Sequence, residues 1–381
     1  MHSSRTPQAA IFQCTQRCRR RGREPGRLFR MRLSARFVVM ILAVLSAAPA
    51  VAAGFDCAKA TTPREKTVCA DPELSKLDED VAAAYKALRS QLSPASAARV
   101  QQDQRAWLRW LDASCPDLKD KERPIGGCLG NAYPRQLQML QKQPQRVGGM
   151  TFFPRLRMAI APNTQTPAPG SFYPSFGVGR FSWPEIDQPT PEQAAWNAAV
   201  RSEAVRLGSG TRPRQRTPSD FRTAFVADSE VDVGYVLKAA NESLISVVMG
   251  KSIYEYGAAH PNEDVIPVQW WLRLKRPLKG DDIFKTGSGW EQFLGKRCYE
   301  VLKSGEQAQY LYDDKTVREA TMSSVKQMNN WTLDAQGFQV NFPEYGVAPR
   351  VVGEVSARIR WEELKPYLAP GFRPADLPQP R

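Results

Sequence analysis

Apolar residues recur at three- and four-residue steps between residues 74 and 92, which is the spacing of one face of a helix. The positions are Leu74, Leu77, Val81, Tyr85, Leu88 and Leu92. They predict a helix of about five turns. Ser93 and Pro94 then suit the cap and the first position of another helix. Because almost no loop separates the two helices, we expect an antiparallel helical hairpin.

The second helix of this hairpin has its own apolar stripe, and a third segment can cover the open side of the pair. The stripe consists of Ala97, Val100, Trp107, Leu108 and Leu111, and the third segment contributes Tyr133, Leu137 and Leu140. Upstream, residues 62–65 read Thr-Pro-Arg-Glu, the form of a capping box with proline at the first helical position. A short helix is therefore predicted to run into Cys69.

Beyond residue 230 the pattern changes to strands. Val231–Ala240 and Leu244–Tyr256 are rich in β-branched and aromatic residues, and three polar residues between them indicate a hairpin. Further strands are predicted at Val265–Leu274, Trp331–Leu333, Phe338–Phe342 and Val351–Arg360. Helices are predicted at Pro191–Leu207, Trp290–Leu302 and Trp361–Leu368. Local hairpins with segregated helices are typical of an α+β fold.

The first 53 residues are predicted to form an upstream extension and a signal peptide. A basic start at Met31–Arg36 precedes the apolar run Phe37–Ala48, and small residues at 49–53 suit signal peptidase. Translation is predicted to start at Met31, with Met1 as the alternative. We expect a cleaved signal and a periplasmic or secreted protein, so that the chain meets the membrane only during export. A retained anchor is the alternative.

Net charge does not indicate nucleic acid as a partner. The 381 residues carry a formal charge of +14, but the predicted extension and signal, with ten Arg and one Glu, supply +9 of it. The remaining +5 is spread over the rest of the chain, without the concentrated basic face that nucleic acids require.

Four cysteines fall within the helical segment: Cys57, Cys69, Cys115 and Cys128. In an exported chain they are expected to form disulfides, and the sequence leaves all three pairings open. A structural zinc site is the alternative, but it normally needs close C-x-x-C pairs, which are absent here. Cys298 is the odd cysteine after export and is expected to be buried.

A resemblance to a known family covers residues 55–142. The run Phe55–Ala60, the residues Glu65–Cys69 and Pro72–Asp78, and Gln104–Leu108 with Cys115 resemble the N-terminal domain of the LprI-type lysozyme-inhibitor family. This resemblance implies an exported helical domain and, in named members, an interaction with lysozyme. The segment differs from the lipoprotein members because it lacks an acylation site. Its charge is nearly balanced, with 14 basic and 12 acidic residues.

A second resemblance covers residues 150–370. Tyr254–Asn262, Phe342–Pro349 and the pair Gly353 and Glu354 are similar to the exported domain shared by RsiV-type anti-sigma factors and PdaC-type deacetylases. In RsiV-type receptors the domain binds lysozyme, and beside the deacetylases it is a non-catalytic accessory. Ala258 and Ala259 replace glycines of the motif, so the loop geometry is expected to differ.

The residues available for chemistry argue against an enzyme. His260 is the only histidine after the signal, which excludes a multi-histidine metal site and leaves no convincing catalytic arrangement. His260 is expected to hold its own loop through backbone contacts or, as the alternative, to touch a ligand. We therefore predict no cofactor and no metal. Binding residues are predicted where the loop and the closing turn meet, namely at Tyr254, Tyr256, His260, Asn262, Pro343 and Tyr345.

Together these patterns predict a multidomain protein, with an all-α, disulfide-stapled domain followed by an α+β domain with an antiparallel sheet. The predicted parts are a helical domain at 54–142, a linker with a possible first strand at 143–170, the α+β domain at 171–370 and a C-terminal tail at 371–381. The predicted function is an exported envelope protein that binds or inhibits lysozyme or a related cell-wall hydrolase by steric occlusion. The alternative is a non-catalytic module that binds peptidoglycan or another glycan, or that is structural in the envelope.

Overall fold

The structure, a computed structural model, describes residues 54–115, 125–166, 174, 176–208 and 227–379. The predicted extension and signal lie outside these residues. The described residues belong to one compact unit, Val51–Arg381. Within the described ranges, no helix combines the length and apolar character needed to cross a bilayer.

The N-terminal part is helical, as predicted. Its helices are α1 (Pro63–Ala70), α2 (Pro72–Ser90), α3 (Pro94–Ser114) and α4 (Ile125–Leu140). The capping box at Thr62 and Glu65 is present at the start of α1, and Ser93 caps α3. The core between α2, α3 and α4 contains Trp107 and Tyr133, whose rings meet edge to face at 5.2 Å. The predicted hairpin and its third covering helix are therefore confirmed.

Two disulfides hold this helical part together, as the four cysteines predicted. Cys57–Cys69 joins the short 3₁₀ turn at Cys57–Lys59 to α1, with the Cα atoms 5.8 Å apart. Cys115–Cys128 joins the end of α3 to α4, with a Cα separation of 5.6 Å. Each bridge closes a short local loop, so both constrain neighbouring segments rather than distant ones.

A seven-stranded sheet follows, whose strands lie side by side in chain order. They are β1 (Gln145–Val147), β2 (Met150–Pro162), β3 (Phe176–Ile186), β4 (Ser229–Ala240), β5 (Leu244–Glu255), β6 (Asn262–Trp271) and β7 (Arg276–Pro277). All neighbours are antiparallel except β3 and β4, which run parallel. Helix α5 (Pro191–Gly208) lies between these two strands in sequence and supplies the crossover.

Within the segment 143–170, predicted to be linker with a possible first strand, the described residues 143–166 contain two strands, β1 and β2. β1 and β2 form a hairpin across Gly148 and Gly149, and beyond that hairpin α3 lies along the edge of β2. The Leu156 N–H of β2 donates to the Asp103 carboxylate of α3 at 3.2 Å. The helical part and the sheet are therefore in direct contact. The contact gives this edge of β2 a hydrogen-bond partner that a free strand edge would lack.

Helix α5 covers one face of the large sheet. Trp196 and Val200 pack against Val233, Val247 and other residues of that face. The ring of Trp196 lies 6.2 Å from that of Trp270 on β6. This face and α5 therefore form a core separate from the helical one.

A second layer is built from the C-terminal residues. It comprises α6 (Gly280–Ile283), α7 (Trp290–Ser304), α8 (Asp314–Ser324) and α9 (Trp361–Leu364), with a three-stranded antiparallel sheet of β8 (Trp331–Asp334), β9 (Gly337–Phe342) and β10 (Val355–Ile359). Its core includes Phe284, Trp331 and Phe338, and it meets the large sheet at Leu244 and Trp271. The predicted α+β class is confirmed.

Two smaller features also lie in this layer. Cys298 on α7 is fully buried, as expected, and burial raises the pKa of its thiol to about 12. Within the segment predicted as a C-terminal tail, Leu377 is only 3 % exposed, and the Ala335 N–H donates to the Pro378 carbonyl at 2.9 Å. An apolar side chain at the end of the chain anchors that segment to the core.

Candidate functional site

The two predicted tyrosines at the end of β5 have different roles: Tyr254 lies in the strand and Tyr256 directly follows it. Tyr256 is 6 % exposed, and its hydroxyl donates to the Phe176 carbonyl on β3 at 2.8 Å. Burial raises the pKa of this hydroxyl. Tyr254, half-buried, contacts the Tyr256 ring edge to face, with the ring centroids 6.2 Å apart. Tyr256 therefore fixes the end of the strand from inside and is not available to a partner.

The loop that follows carries His260. Ala258 N–H donates to the Glu255 carbonyl at 2.9 Å, which closes a turn around Gly257. Gly257 has a φ of +90°, a conformation that glycine adopts readily. His260 and Asn262 are exposed, and Asn262 opens β6 opposite Ile253. The loop thus presents polar groups on a backbone fixed by the strand ends.

Arg350 joins this loop to the closing turn. It lies on a 3₁₀ turn at Arg350–Val352, and its Nη1 is 2.7 Å from His260 Nδ1 and 3.0 Å from the Pro261 carbonyl. A guanidinium has no acceptor, so His260 Nδ1 accepts and the imidazole carries its proton on Nε2. His260 Nδ1 also lies 3.0 Å from the Pro261 carbonyl oxygen. Both atoms then act as acceptors, and both accept from Arg350 Nη1.

Two carboxylates complete the contacts of Arg350. Its Nη2 donates to Glu263 on β6 at 2.9 Å, and its Nε lies 3.3 Å from Glu344 in the closing turn. The loop and the turn, predicted to meet, are brought together by this one side chain. One positive and two negative groups leave a net charge of about one negative at the centre.

The closing turn holds an exposed aromatic in a fixed place. Gly346 N–H donates to the Pro343 carbonyl at 2.9 Å, and a Cβ on Gly346 would also lie 2.9 Å from that oxygen, which excludes larger residues. Tyr345 has a φ of +58° and is 55 % exposed. Next to Arg350, Val351 is 93 % exposed. Two apolar side chains thus flank an ion-paired centre.

We call this surface the Arg350 face. It consists of His260, Pro261, Glu263, Glu344, Tyr345, Arg350 and Val351. The sequence prediction contained His260 and Tyr345 but missed Arg350, Glu263 and Glu344. A usable signal was present, since Arg350 directly follows the segment Phe342–Pro349 that carried the family resemblance. Of the other predicted residues, Asn262 and Pro343 are chain neighbours of residues in the face, whereas Tyr254 and Tyr256 contact each other at the end of β5.

No metal-binding cluster of three or more His, Cys, Asp or Glu side chains occurs in the part of the chain that the structure describes. The contacts of the Arg350 face are ion pairs and hydrogen bonds between exposed or half-buried groups. Such an arrangement can recognise another molecule through charge and shape.

Comparison with known proteins identifies two domain families in the chain. Residues 57–146 match the family model described as lysozyme inhibitor LprI. Residues 281–362 match the model of DUF3298, described as a protein of unknown function. The chain thus carries an LprI domain followed by a DUF3298 domain, and the recognition made from the sequence is confirmed over these ranges. Glu344, Tyr345 and Arg350 lie within the second match, and His260 lies outside both.

Two solved structures of the DUF3298 family are similar to part of the chain. A member from Bacteroides fragilis is 14% identical, with a TM-score of 0.41 and coverage of 59% of this chain and 95% of that one. A member from Pseudomonas aeruginosa is 12% identical, with a TM-score of 0.42 and coverage of 58% and 95%. No curated protein matches the chain.

Proposed function

We propose that the protein is exported and binds lysozyme or a related cell-wall hydrolase, inhibiting it by steric occlusion without catalysing a reaction itself. The observation that carries this proposal is the match of residues 57–146 to the lysozyme-inhibitor family. The second resemblance, to a domain that binds lysozyme in RsiV-type receptors, supports the same class of partner.

Location outside the cytoplasm is part of the proposal. The segment Met31–Ala53 has the order of a signal peptide: a basic start, an apolar run and small residues. The disulfides Cys57–Cys69 and Cys115–Cys128 support it, because such bonds persist in oxidising compartments. The periplasm or the extracellular medium is also where a cell-wall hydrolase would be met.

The Arg350 face has the features of a protein-binding surface. Tyr345 and Val351 supply exposed apolar anchors, and the centre between them is held by four contacts of Arg350. A rigid anchor loses little conformational entropy on binding. The excess of one negative charge on the Arg350 face suits a cationic hydrolase. The helical domain has nearly balanced charge and therefore gives no electrostatic preference for such a partner.

Inhibition of a c-type lysozyme by the oxidised chain 54–381 tests the proposal. At about 0.15 M salt, where surface charges are screened beyond about 8 Å, we expect lysis of a cell-wall suspension to fall with added protein until one equivalent is bound. A pull-down with immobilised lysozyme separates binding of the enzyme from binding of the wall. Undiminished lysis at a large excess of protein would refute the proposed inhibition.

Two substitutions test whether the Arg350 face is the contact. Tyr345→Ala removes an anchor, and we expect a loss of about 2 kcal/mol in binding, or about thirtyfold in Kd. Tyr310→Ala is the matched control, since Tyr310 is 54 % exposed but lies on another 3₁₀ turn outside the face. Equal affinities for the two variants would move the contact away from the Arg350 face, with the helical domain as the next region to probe.

A further inference from the structure

The large sheet and the small sheet face each other across an open cleft of about 520 Å³. The floor is the face of the large sheet opposite α5, contributed by β4, β5 and β6. One wall is the small sheet β8–β10, and Lys142, just after α4, borders the other side. We call this space the inter-sheet cleft. It does not include any residue of the Arg350 face.

The floor of the cleft is flat because two glycines lie opposite each other. Gly234 on β4 pairs with Gly250 on β5, which in turn pairs with Val265 on β6. A Cβ added at either glycine would meet nothing within 4 Å. Val236 and Val265, beside this bare patch, are 54 % and 43 % exposed. Glycine within a strand is typical of a place where another molecule approaches the backbone.

The wall of the cleft is polar and internally connected. Arg358 makes two contacts of 2.9 Å with the Asp334 carboxylate and donates to Gln339 at 3.3 Å. The Gln339 amide donates to Asn341 at 2.7 Å, and Asn341 donates to the Thr332 hydroxyl at 3.0 Å. These bonds fix the direction of each polar group before any ligand arrives.

Two facing sheets in a sandwich normally fill the space between them with interdigitating apolar side chains. Here a polar wall faces a floor of glycine and valine. Across the cleft, the described residues of the two faces therefore neither pack apolar side chains together nor hydrogen-bond to each other. One row further along the floor, Ser246 and Gln269 are 0 % and 7 % exposed, and their polar side-chain atoms have no hydrogen-bond partner among the described residues. Buried polar atoms of this kind usually pair with water or a ligand.

The third feature of the cleft is a pair of lysines, Lys142 and Lys238, with Glu354 also in its lining. Lys142 is half-buried, with Nζ 3.3 Å from the Tyr235 carbonyl and 4.3 Å from the Tyr235 ring centroid. Neither Lys142 nor Lys238 on β4 forms an ion pair with a described residue. Burial and the nearby positive charge of Arg180 lower the pKa of Lys142, and Asp232 partly opposes them; a ligand carboxylate beside Lys142 would favour its charged form. The charges of Arg358 and Asp334, by contrast, are already satisfied by each other.

From these features we propose that the inter-sheet cleft binds a carboxylate-bearing pyranose oligosaccharide. A pyranose ring has an apolar C–H face, which suits the glycine and valine floor, and a rim of hydroxyl or acetamido groups, which suits the amides of Gln339 and Asn341. The ligand carboxylate pairs with Lys142 or Lys238. This inference does not depend on the proposed inhibition of a hydrolase.

An extended peptide fits the cleft less well. Peptides that add to sheets gain main-chain hydrogen bonds at a free strand edge. At the centre of the floor, β5 pairs with β4 on one side and with β6 on the other along its length, so the patch around Gly250 offers a surface but no free row of N–H and C=O groups. A ligand that binds through ring faces and hydroxyl groups requires no such row.

Calorimetric titration of the oxidised chain 54–381 tests the inference with three tetrasaccharides. Peptide-free cell-wall glycan carries lactyl carboxylates, oligogalacturonate carries uronate carboxylates, and chitotetraose is the neutral control. We expect at least one acidic tetrasaccharide to bind more than tenfold tighter than chitotetraose, and the stronger acidic ligand identifies the source. Equal affinity for chitotetraose, or no binding of either acidic ligand at millimolar concentration, would overturn the inference.

Two variants place the binding in the cleft. Gly250→Leu fills the floor without a clash, because the space above Gly250 is open, and we expect more than a tenfold loss of affinity with an unchanged melting temperature. Gly130→Leu on α4 is the matched control, as its Cβ also meets nothing within 4 Å. The double variant Lys142→Gln with Lys238→Gln should abolish the preference for acidic over neutral ligands, because it removes both candidate partners of the ligand carboxylate. Wild-type affinity in Gly250→Leu would contradict a site in this cleft.

Discussion

One buried carboxylate, Asp103, accepts several of the hydrogen bonds between the helical domain and the sheet, so Asp103→Ala tests that contact directly. Asp103 on α3 is 4 % exposed and accepts from Arg155 Nε at 2.7 Å and Nη2 at 3.2 Å. It also accepts from Arg157 and from the Leu156 N–H. Arg155, 5 % exposed, pairs in addition with the buried Glu185 at 2.6 Å.

Removing Asp103 leaves buried charge without its partner. Breaking a buried ion pair on one side typically costs 3–5 kcal/mol, and the Leu156 N–H also loses its acceptor. Two features reduce the cost: Arg155 keeps Glu185, and Arg157, 30 % exposed, can turn toward water. We therefore expect Asp103→Ala to lower the free energy of unfolding by about 3 kcal/mol, or about two orders of magnitude in the unfolding constant.

Urea unfolding followed by tryptophan fluorescence measures this change. Glu242→Ala is the surface control, since Glu242 is 84 % exposed and lies 3.4 Å from Arg273; its urea midpoint should match that of the parent. Asp103→Leu combined with Arg155→Met replaces both partners with apolar side chains, while Glu185 keeps Arg99 at 2.9 Å. This double variant should be more stable than Asp103→Ala. A loss below about 1 kcal/mol in Asp103→Ala would refute the reasoning.

Three further outcomes follow from the structure. Replacing Cys57 and Cys69 with serine should lower the free energy of unfolding by about 3 kcal/mol, because the bridge restricts the unfolded chain and its loop is short enough to limit the effect. Urea unfolding of the oxidised parent gives the reference. Glu65 accepts from the Thr62 N–H and the Thr61 N–H, which lowers its pKa from 4.5 to about 2. The stabilisation from the charged carboxylate is therefore complete above pH 4.5 and is lost as the pH falls toward 2. Over this range the melting temperature of Glu65→Gln should vary less than that of the parent. Cys298 should resist iodoacetamide until the protein unfolds, since its thiol is buried and its pKa is about 12, and mass spectrometry with and without urea checks this.

The sequence predicted elements whose signal is local. The helical hairpin followed from apolar spacing and from caps at Thr62 and Ser93, which act within a few residues of themselves. The hairpins at 241–243 and 334–337 followed from polar turns between apolar runs. The structure has each of them within a few residues of the predicted bounds.

What the sequence could not give depends on distant partners. Residues 143–170 were predicted as linker with a possible first strand because they are rich in proline and polar residues. β2 nevertheless accommodates Pro154, since that stretch lies at the sheet edge, opposite Pro184 of β3. The buried Arg155 also has the appearance of a surface residue in sequence, and only its contact with Asp103, 52 positions away, explains its burial.

The candidate site shows the same limit. Tyr254, Tyr256, His260 and Tyr345 could be picked out as aromatic or titratable residues near turns. Arg350 was missed although it follows the segment that carried the resemblance, because its role lies in contacts with residues about ninety positions earlier in the chain. Likewise, four cysteines in an exported chain predict disulfides, with zinc as the alternative, whereas the choice among three pairings requires the geometry of α1, α3 and α4.

The loop before β6 is fixed from two sides, and this separates stability from recognition. Inside, the Tyr256 hydroxyl ties the end of β5 to β3 through the Phe176 carbonyl. Outside, Arg350 ties the loop to the closing turn through exposed and half-buried groups. Loss of the buried contact acts mainly on folding, because an orphaned carbonyl would remain in the interior. Loss of an exposed anchor such as Tyr345 leaves the interior intact, so the Arg350 face can change its partner without changing the fold.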